Sequence, residues 1–123
     1  MKIKESAENY LESILMIKNR KGSVRSIDIA TELNFTKPSV SVAMKHFREE
    51  GYITMSSDGG ISLTDKGLEI AERVYERHRV IAQALIMLGV DDATAYEDSC
   101  KIEHDISEMT FSKIKEYLAK HKK

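Results

Sequence analysis

A mainly α-helical chain is predicted by three observations. Apolar residues recur at helical spacing over most of the sequence, two short helical stretches are joined by a tight polar turn, and one pair of short β-type runs interrupts them. Composition agrees with this class. Of 123 residues, 41% are hydrophobic and 32% are charged, which suits one or two small globular units and argues against disorder. The longest mostly apolar run, near Val80 to Val90, is broken by Gln83 and Gly89 and is too short to span a bilayer. The amino terminus lacks a signal-peptide core, so a cytoplasmic location without membrane association is expected.

The elements follow in order. From Ser6 to about Lys18, Tyr10, Leu11, Ile14, Leu15 and Ile17 form the stripe of an amphipathic first helix. Ser26 is a candidate cap for a short second helix carrying Ile27, Ile29, Ala30 and Leu33, and Asn34-Phe35-Thr36 make the turn after it. Thr36 then caps a third helix, with Pro38 in the first turn where a missing N–H costs little, and Gly51 stops it. Next, Tyr52-Ile-Thr-Met55 and Ile61-Ser-Leu-Thr64 flank the polar turn Ser56-Ser-Asp-Gly-Gly60, a hairpin signal. Thr64 caps a long helix running through Leu68, Ile70, Ala71 and Val74 to about Leu88. Helix, helix, turn, helix, hairpin is the order of a winged helix-turn-helix. The soft boundary between Asp65 and Glu76 divides the chain into expected domains at 1–72 and 73–123.

Charge distribution narrows the function. A net charge of −1 excludes a nonspecific polyelectrolyte. Residues 1–50 hold nine Lys or Arg against seven Asp or Glu, whereas residues 51–123 hold ten against thirteen. Lys18, Arg20, Lys21, Arg25, Lys37, Lys45 and Arg48 lie in or beside the helix-turn-helix, where neutralising phosphates would need them; a solvated basic face is the alternative. At the start of the third helix, Thr36, Lys37, Pro38, Ser39, Ser41 and Val42 are small, polar or apolar. Such groups permit close approach to base edges and contact with thymine methyls, leaving part of the readout to DNA shape. With Arg25 and Lys45, these are the candidate DNA-binding residues, and the expected partner is double-stranded DNA.

The second unit carries candidate ligand chemistry. Cys100, Glu103 and His104 are spaced i, i+3 and i+4, which on a helix puts thiol, carboxylate and imidazole on one face. Such a triple arises by chance often enough that spacing alone does not settle a metal site. The single cysteine excludes an internal disulfide and leaves Cys100 as a small hydrophobe, a reactive thiol or a ligand. No nucleophile, oxyanion donor and substrate pocket accompany it, so an enzyme is not expected.

Several ordered motifs go further. They are Glu8-Asn9-Tyr10-Leu11-Glu12-Ser13-Ile14, Thr36-Lys-Pro-Ser-Val-Ser-Val42, Leu63-Thr-Asp-Lys-Gly67, Arg77-His78-Arg79 and Cys100-Lys-Ile-Glu103-His104-Asp-Ile-Ser107. Through them the whole chain resembles the iron-dependent repressor family, whose branches are typified by the diphtheria toxin repressor and the manganese transport regulator. The resemblance implies a winged helix-turn-helix followed by an α-helical dimerisation and metal-binding domain. It also implies metal ligands at Asn9, Glu12, His78, Cys100, Glu103 and His104. The chain is a hybrid, because the manganese branch has Asp at the place of Asn9 and Glu at that of Cys100, while the toxin-repressor branch has Met and Cys. Ala82, where both branches tend to carry Glu, and Tyr96, where the toxin-repressor branch uses His, put an ancillary site of that branch in doubt.

What the resemblance implies is a metal-dependent repressor that binds palindromic operator DNA as a homodimer, in the short form without the further C-terminal domain of longer members. Because a thiolate is soft, Fe²⁺ is the first-choice ion, Mn²⁺ the alternative, and Co²⁺, Ni²⁺ or Zn²⁺ ions that could bind in vitro. With ligands on the first helix, the long helix and the segment after it, one ion would join the two units and restrict how the third helix is presented to DNA. Glu12 and His78 could hold a second ion sharing Glu103. Candidate dimer-interface residues are Ile81, Ala82, Leu85, Ile86 and Leu88, with Ile102 and Ile106, each of which reads equally well as core of a single chain. The competing reading is a metal-independent winged-helix regulator in which Cys100 responds to thiol oxidation.

Overall fold

In the computed structural model, which describes residues 5–121, six helices and one two-stranded sheet are found among the described residues. Helix α1 (Glu5–Lys21) runs past the expected end at Lys18 and closes at Gly22. There the backbone has φ 87°, and the Gly22 N–H donates to the Lys18 carbonyl at 2.8 Å. Helix α2 (Ser26–Leu33) is capped one residue earlier than expected. The extended residue is Arg25 rather than Ser26, and its N–H donates to the Asp28 carboxylate at 2.9 Å, so the acidic side chain in the first turn satisfies the exposed amide.

Asn34 sits in the left-handed region at φ 58° and ends α2; it is the one non-glycine residue in that region among those described. Thr36 then caps α3 (Lys37–Glu49), accepting from the Ser39 N–H at 3.3 Å. Strands β1 (Ile53–Met55) and β2 (Ile61–Leu63) pair antiparallel, with Ile53 opposite Leu63 and Met55 opposite Ile61. The Ile61 N–H donates to the Val24 carbonyl at 2.8 Å, which ties the hairpin to the chain just before α2.

These elements share one core. Leu11, Ile14 and Ile17 of α1 are buried with Ile29 of α2, Val40 and Met44 of α3, and Ile53 and Ile61 of the hairpin. Each such side chain contributes about 1.5–3 kcal/mol when fully buried. Tyr10 adds ring contacts to Phe35 and Phe47 at 5.6 and 5.7 Å between centroids.

Helix α4 (Asp65–Met87) starts as expected at Thr64, whose hydroxyl accepts from the Gly67 N–H at 3.2 Å and donates to the Gly51 carbonyl at 2.6 Å. Chain contacts define two compact units, one ending at Arg73 and the other starting at Val74. The second unit comprises the rest of α4, α5 (Asp92–Ile102) and α6 (Glu108–His121). Its buried residues include Ile81, Ala82, Ala95, Phe111 and Leu118, together with the polar Ser99 and Glu103. Of the two readings open for Ile81 and Ala82, interface or core, their burial fits core of a single chain. Leu88, at 81% exposure, remains available. No described helix is long and apolar enough to cross a membrane.

Candidate metal centre and nucleic-acid interface

The candidate ligand segment is built by the end of α5. Asp91 caps that helix, its carboxylate accepting from the Thr94 N–H at 3.1 Å, and this bond with that of the Thr94 hydroxyl holds its carboxyl below the usual carboxylate range. The helix ends at Ile102, so Glu103 and His104 lie beyond it, not on its regular surface. Glu103 nevertheless keeps helical angles, φ −58° and ψ −25°, and its N–H donates to the Ser99 carbonyl at 3.0 Å. The i, i+3 relation of Cys100 to Glu103 survives for that reason, and the turn starting at Glu103 places His104 beside them.

One ligand atom from each of Cys100, Glu103 and His104 lies within 4.8 Å of the other two. Cys100 is half-buried and Glu103 is 2% exposed. The imidazole of His104 is also buried, with Nε2 3.4 Å from the Glu103 carboxylate. Two donors on a common transition-metal ion, each at about 2.0–2.3 Å, are at most about 4.6 Å apart, so a small side-chain adjustment would let these three share one ion. A carboxylate withdrawn from water requires a compensating positive charge or donors. Thiolate, carboxylate and imidazole at a helix C-terminus, where the backbone dipole favours cations, fit a divalent transition metal.

His78 belongs to the same unit. Its Nε2 is 3.1 Å from the Tyr96 carbonyl, its ring meets the Tyr96 ring edge-on at 5.7 Å, and its own carbonyl accepts from the Ser99 hydroxyl. In the first unit, Asn9 is half-buried on α1 and Glu12 is 5% exposed, an unusual position for a carboxylate. Two contributors to this region were not foreseen from sequence. Ser99 is fully buried, and Arg77 donates from Nη2 to the Ile106 carbonyl at 2.8 Å. The Arg77-His78-Arg79 motif pointed to the right turn of α4, but not to what Arg77 holds.

On the DNA-binding candidates, α3 divides by face. Val40, Met44 and Phe47 are buried, whereas Thr36, Lys37, Pro38, Ser39, Ser41, Val42 and Lys45 are all exposed. The Thr36 hydroxyl also donates to the Ser39 hydroxyl at 2.8 Å, so this pair serves the cap as well as the outer surface. Arg25 is exposed but sits against the hairpin tip, bonding to the Asp58 carbonyl and lying 3.6 Å from its carboxylate. Hydrogen bonds from the Ser56 hydroxyl and the Gly60 N–H, with the Arg25 charge, hold the Asp58 carboxyl below its usual range.

Comparison with known proteins accords with both halves. Residues 2–61 match the iron dependent repressor N-terminal DNA binding domain, and residues 64–123 match the iron dependent repressor metal binding and dimerisation domain. An uncharacterized HTH-type transcriptional regulator of Methanocaldococcus jannaschii is 34% identical over 120 residues, covering 96% of each chain. The HTH-type transcriptional regulator MntR of Lysinibacillus sphaericus is 33% identical over 109 residues, 89% of this chain and 78% of that protein. Among solved structures, T. acidophilum IdeR superposes with a TM-score of 0.82 at 26% identity, covering 97% of this chain but 55% of its own, so the chain spans about half that molecule. The two matched halves and the full-length relative together show that the chain belongs to the iron-dependent repressor family of metal-dependent transcriptional regulators, which are not enzymes.

Proposed function

We propose that this metal-dependent regulator is a repressor that binds palindromic operator DNA as a homodimer when loaded with Fe²⁺ or Mn²⁺, and that it controls genes of metal uptake or homeostasis. The observation that carries the reading is the convergence of half-buried Cys100 with the buried side chains of Glu103 and His104. When bound, the ion supplies a positive, Lewis-acidic centre for the three donors. The soft Cys100 sulfur favours Fe²⁺; Mn²⁺ is the alternative, and MntR is the name of one relative. Asn9, Glu12 and His78 are proposed as the remaining ligands on the family resemblance. Asn9 offers a neutral carbonyl oxygen where a carboxylate would add charge, which lowers affinity for any divalent ion.

Exposed Ser41, Val42, Lys37 and Lys45 on α3 are proposed to enter the major groove, with Arg25 and the hairpin beside the backbone. A two-fold dimer matches a palindromic site. The exposed apolar side chains Met87, Leu88, Met109 and Tyr117 of the second unit support its surface as the seam. If the DNA-competent form holds metal more tightly, DNA and metal raise each other's affinity by the same factor, about 5- to 150-fold.

Selection of genomic fragments by the purified protein under anaerobic conditions, with chelator, Fe²⁺ or Mn²⁺, tests the reading. Palindromic fragments enriched with one ion and lost with chelator are expected, and Glu103→Gln should abolish that dependence while the variant stays folded. Equal enrichment under all conditions would overturn the metal response. Loss of binding on thiol oxidation alone would favour the redox alternative.

A further inference from the structure

The segment that carries Cys100, Glu103 and His104 is tied to α4 at both ends, by adjacent residues of one helical turn. At the front, Ser99, which is fully buried and next to Cys100, donates its hydroxyl to the His78 carbonyl. A carbonyl has two lone pairs, so it can accept this bond beside its helical one. At the back, Arg77 Nη2 donates to the Ile106 carbonyl at 2.8 Å, just past His104. The same guanidinium is anchored further, with Nη1 3.6 Å from Glu108 and the cation 5.2 Å from the centroid of the buried Phe111 ring. Only 14% of the Arg77 side chain is exposed, which shelters its bond to the Ile106 carbonyl, whereas Glu108 is 75% exposed and its pairing with Arg77 is screened.

Such ties matter because α5 stops at Ile102. The Glu103 N–H is the last to reach back along the helical ladder, to the Ser99 carbonyl, and from His104 to Ser107 the backbone is a turn, with a short-range bond from the Asp105 N–H to the Ile102 carbonyl at 3.0 Å. A donor set drawn partly from a helix and partly from the turn after it keeps its geometry only if both are held to a common support. We propose that Ser99 and Arg77 are positioning residues that preform the ligand segment against α4, so that metal affinity depends on two side chains that touch no metal. The inference rests on the reading of Cys100, Glu103 and His104 as ligands. Partners of this kind typically change metal affinity by about 10- to 100-fold.

Anaerobic titration of the full chain with Co²⁺ alone tests it, because a thiolate-to-cobalt charge-transfer band reports Cys100 directly. Ser99→Ala and Arg77→Met should each raise the Co²⁺ Kd by about 10-fold or more and change the band intensity at saturation. Arg77→Lys, which keeps a donor for the Ile106 carbonyl, should recover part of the loss. A merely structural role would lower the metal-free unfolding temperature of these variants while the folded protein kept wild-type Co²⁺ affinity and spectrum, and that result overturns the proposal. If Arg77→Met does not fold, Ser99→Ala and Arg77→Lys decide it by the same criteria. A wild-type chain that binds no Co²⁺ through Cys100 would instead defeat the ligand reading beneath it.

Discussion

Val42 is 71% exposed on a helix whose neighbouring residues Val40 and Met44 are fully buried, so its isopropyl group gains nothing for the fold from where it stands. A β-branched residue also has modest helix propensity, and nothing inside the chain accounts for its presence at that position. Contact with a thymine methyl would account for it. Val42→Ser should therefore change stability by no more than about 0.5 kcal/mol. On operator DNA, the same variant should lose about 1 kcal/mol of discrimination at one base pair. Competition binding against single-base operator variants measures this; unchanged discrimination would remove Val42 from the readout. At this scale, the exposure of the candidate set on α3 and the convergence of Cys100, Glu103 and His104 were legible because spacing and residue type report them locally. Ser99 and Arg77 were not, since their partners lie 21 and 29 residues away and neither residue type announces a carbonyl acceptor.

Among the elements, the start of α4 gives the sharpest conflict between local preference and packing. Gly67 lies in the first turn of that helix, where alanine would normally gain about 1 kcal/mol in propensity. A Cβ there would stand 2.1 Å from the Tyr52 carbonyl oxygen, a backbone atom that cannot swing away. Overpacking of this severity costs about 3 kcal/mol, so Gly67→Ala should destabilise the winged unit despite its better propensity. Chemical denaturation of the variant checks the sign. Helix starts were largely readable, since Thr36 and Thr64 cap where their side chains predict. Capping at Arg25 rather than Ser26 was hidden because Arg25 is not a usual capping residue and the bond that marks the cap comes from Asp28, whose carboxylate reaches back to the Arg25 N–H. The end of α5 was also hidden: no Gly or Pro occurs between Val90 and Lys123, and the helix stops instead at a turn followed by Ser107, which accepts from the Thr110 N–H at 3.1 Å and starts α6.

At the scale of the molecule, carboxylates in both units are held below the ordinary value of 3.8: Asp28 chiefly by a hydrogen bond from Lys21, Asp58 by Ser56, and Asp91 by the Thr94 N–H. Groups with depressed folded values stabilise fully above their unfolded value and lose that contribution as pH falls through the folded one. Both units hold such a group. Their contribution to thermal stability should be flat from about pH 7 to 5 and decline below about pH 4. A metal-free unfolding temperature that held steady or rose down to about pH 3 would contradict this assignment.

The sole cysteine of the chain stands in the candidate ligand segment, half-buried. The molecule thus carries one built-in address for thiol-directed chemistry: a maleimide dye or a spin label added to the native sequence attaches at a single known position, and its signal reads out the neighbourhood of Glu103 and His104 without any cysteine having to be engineered away.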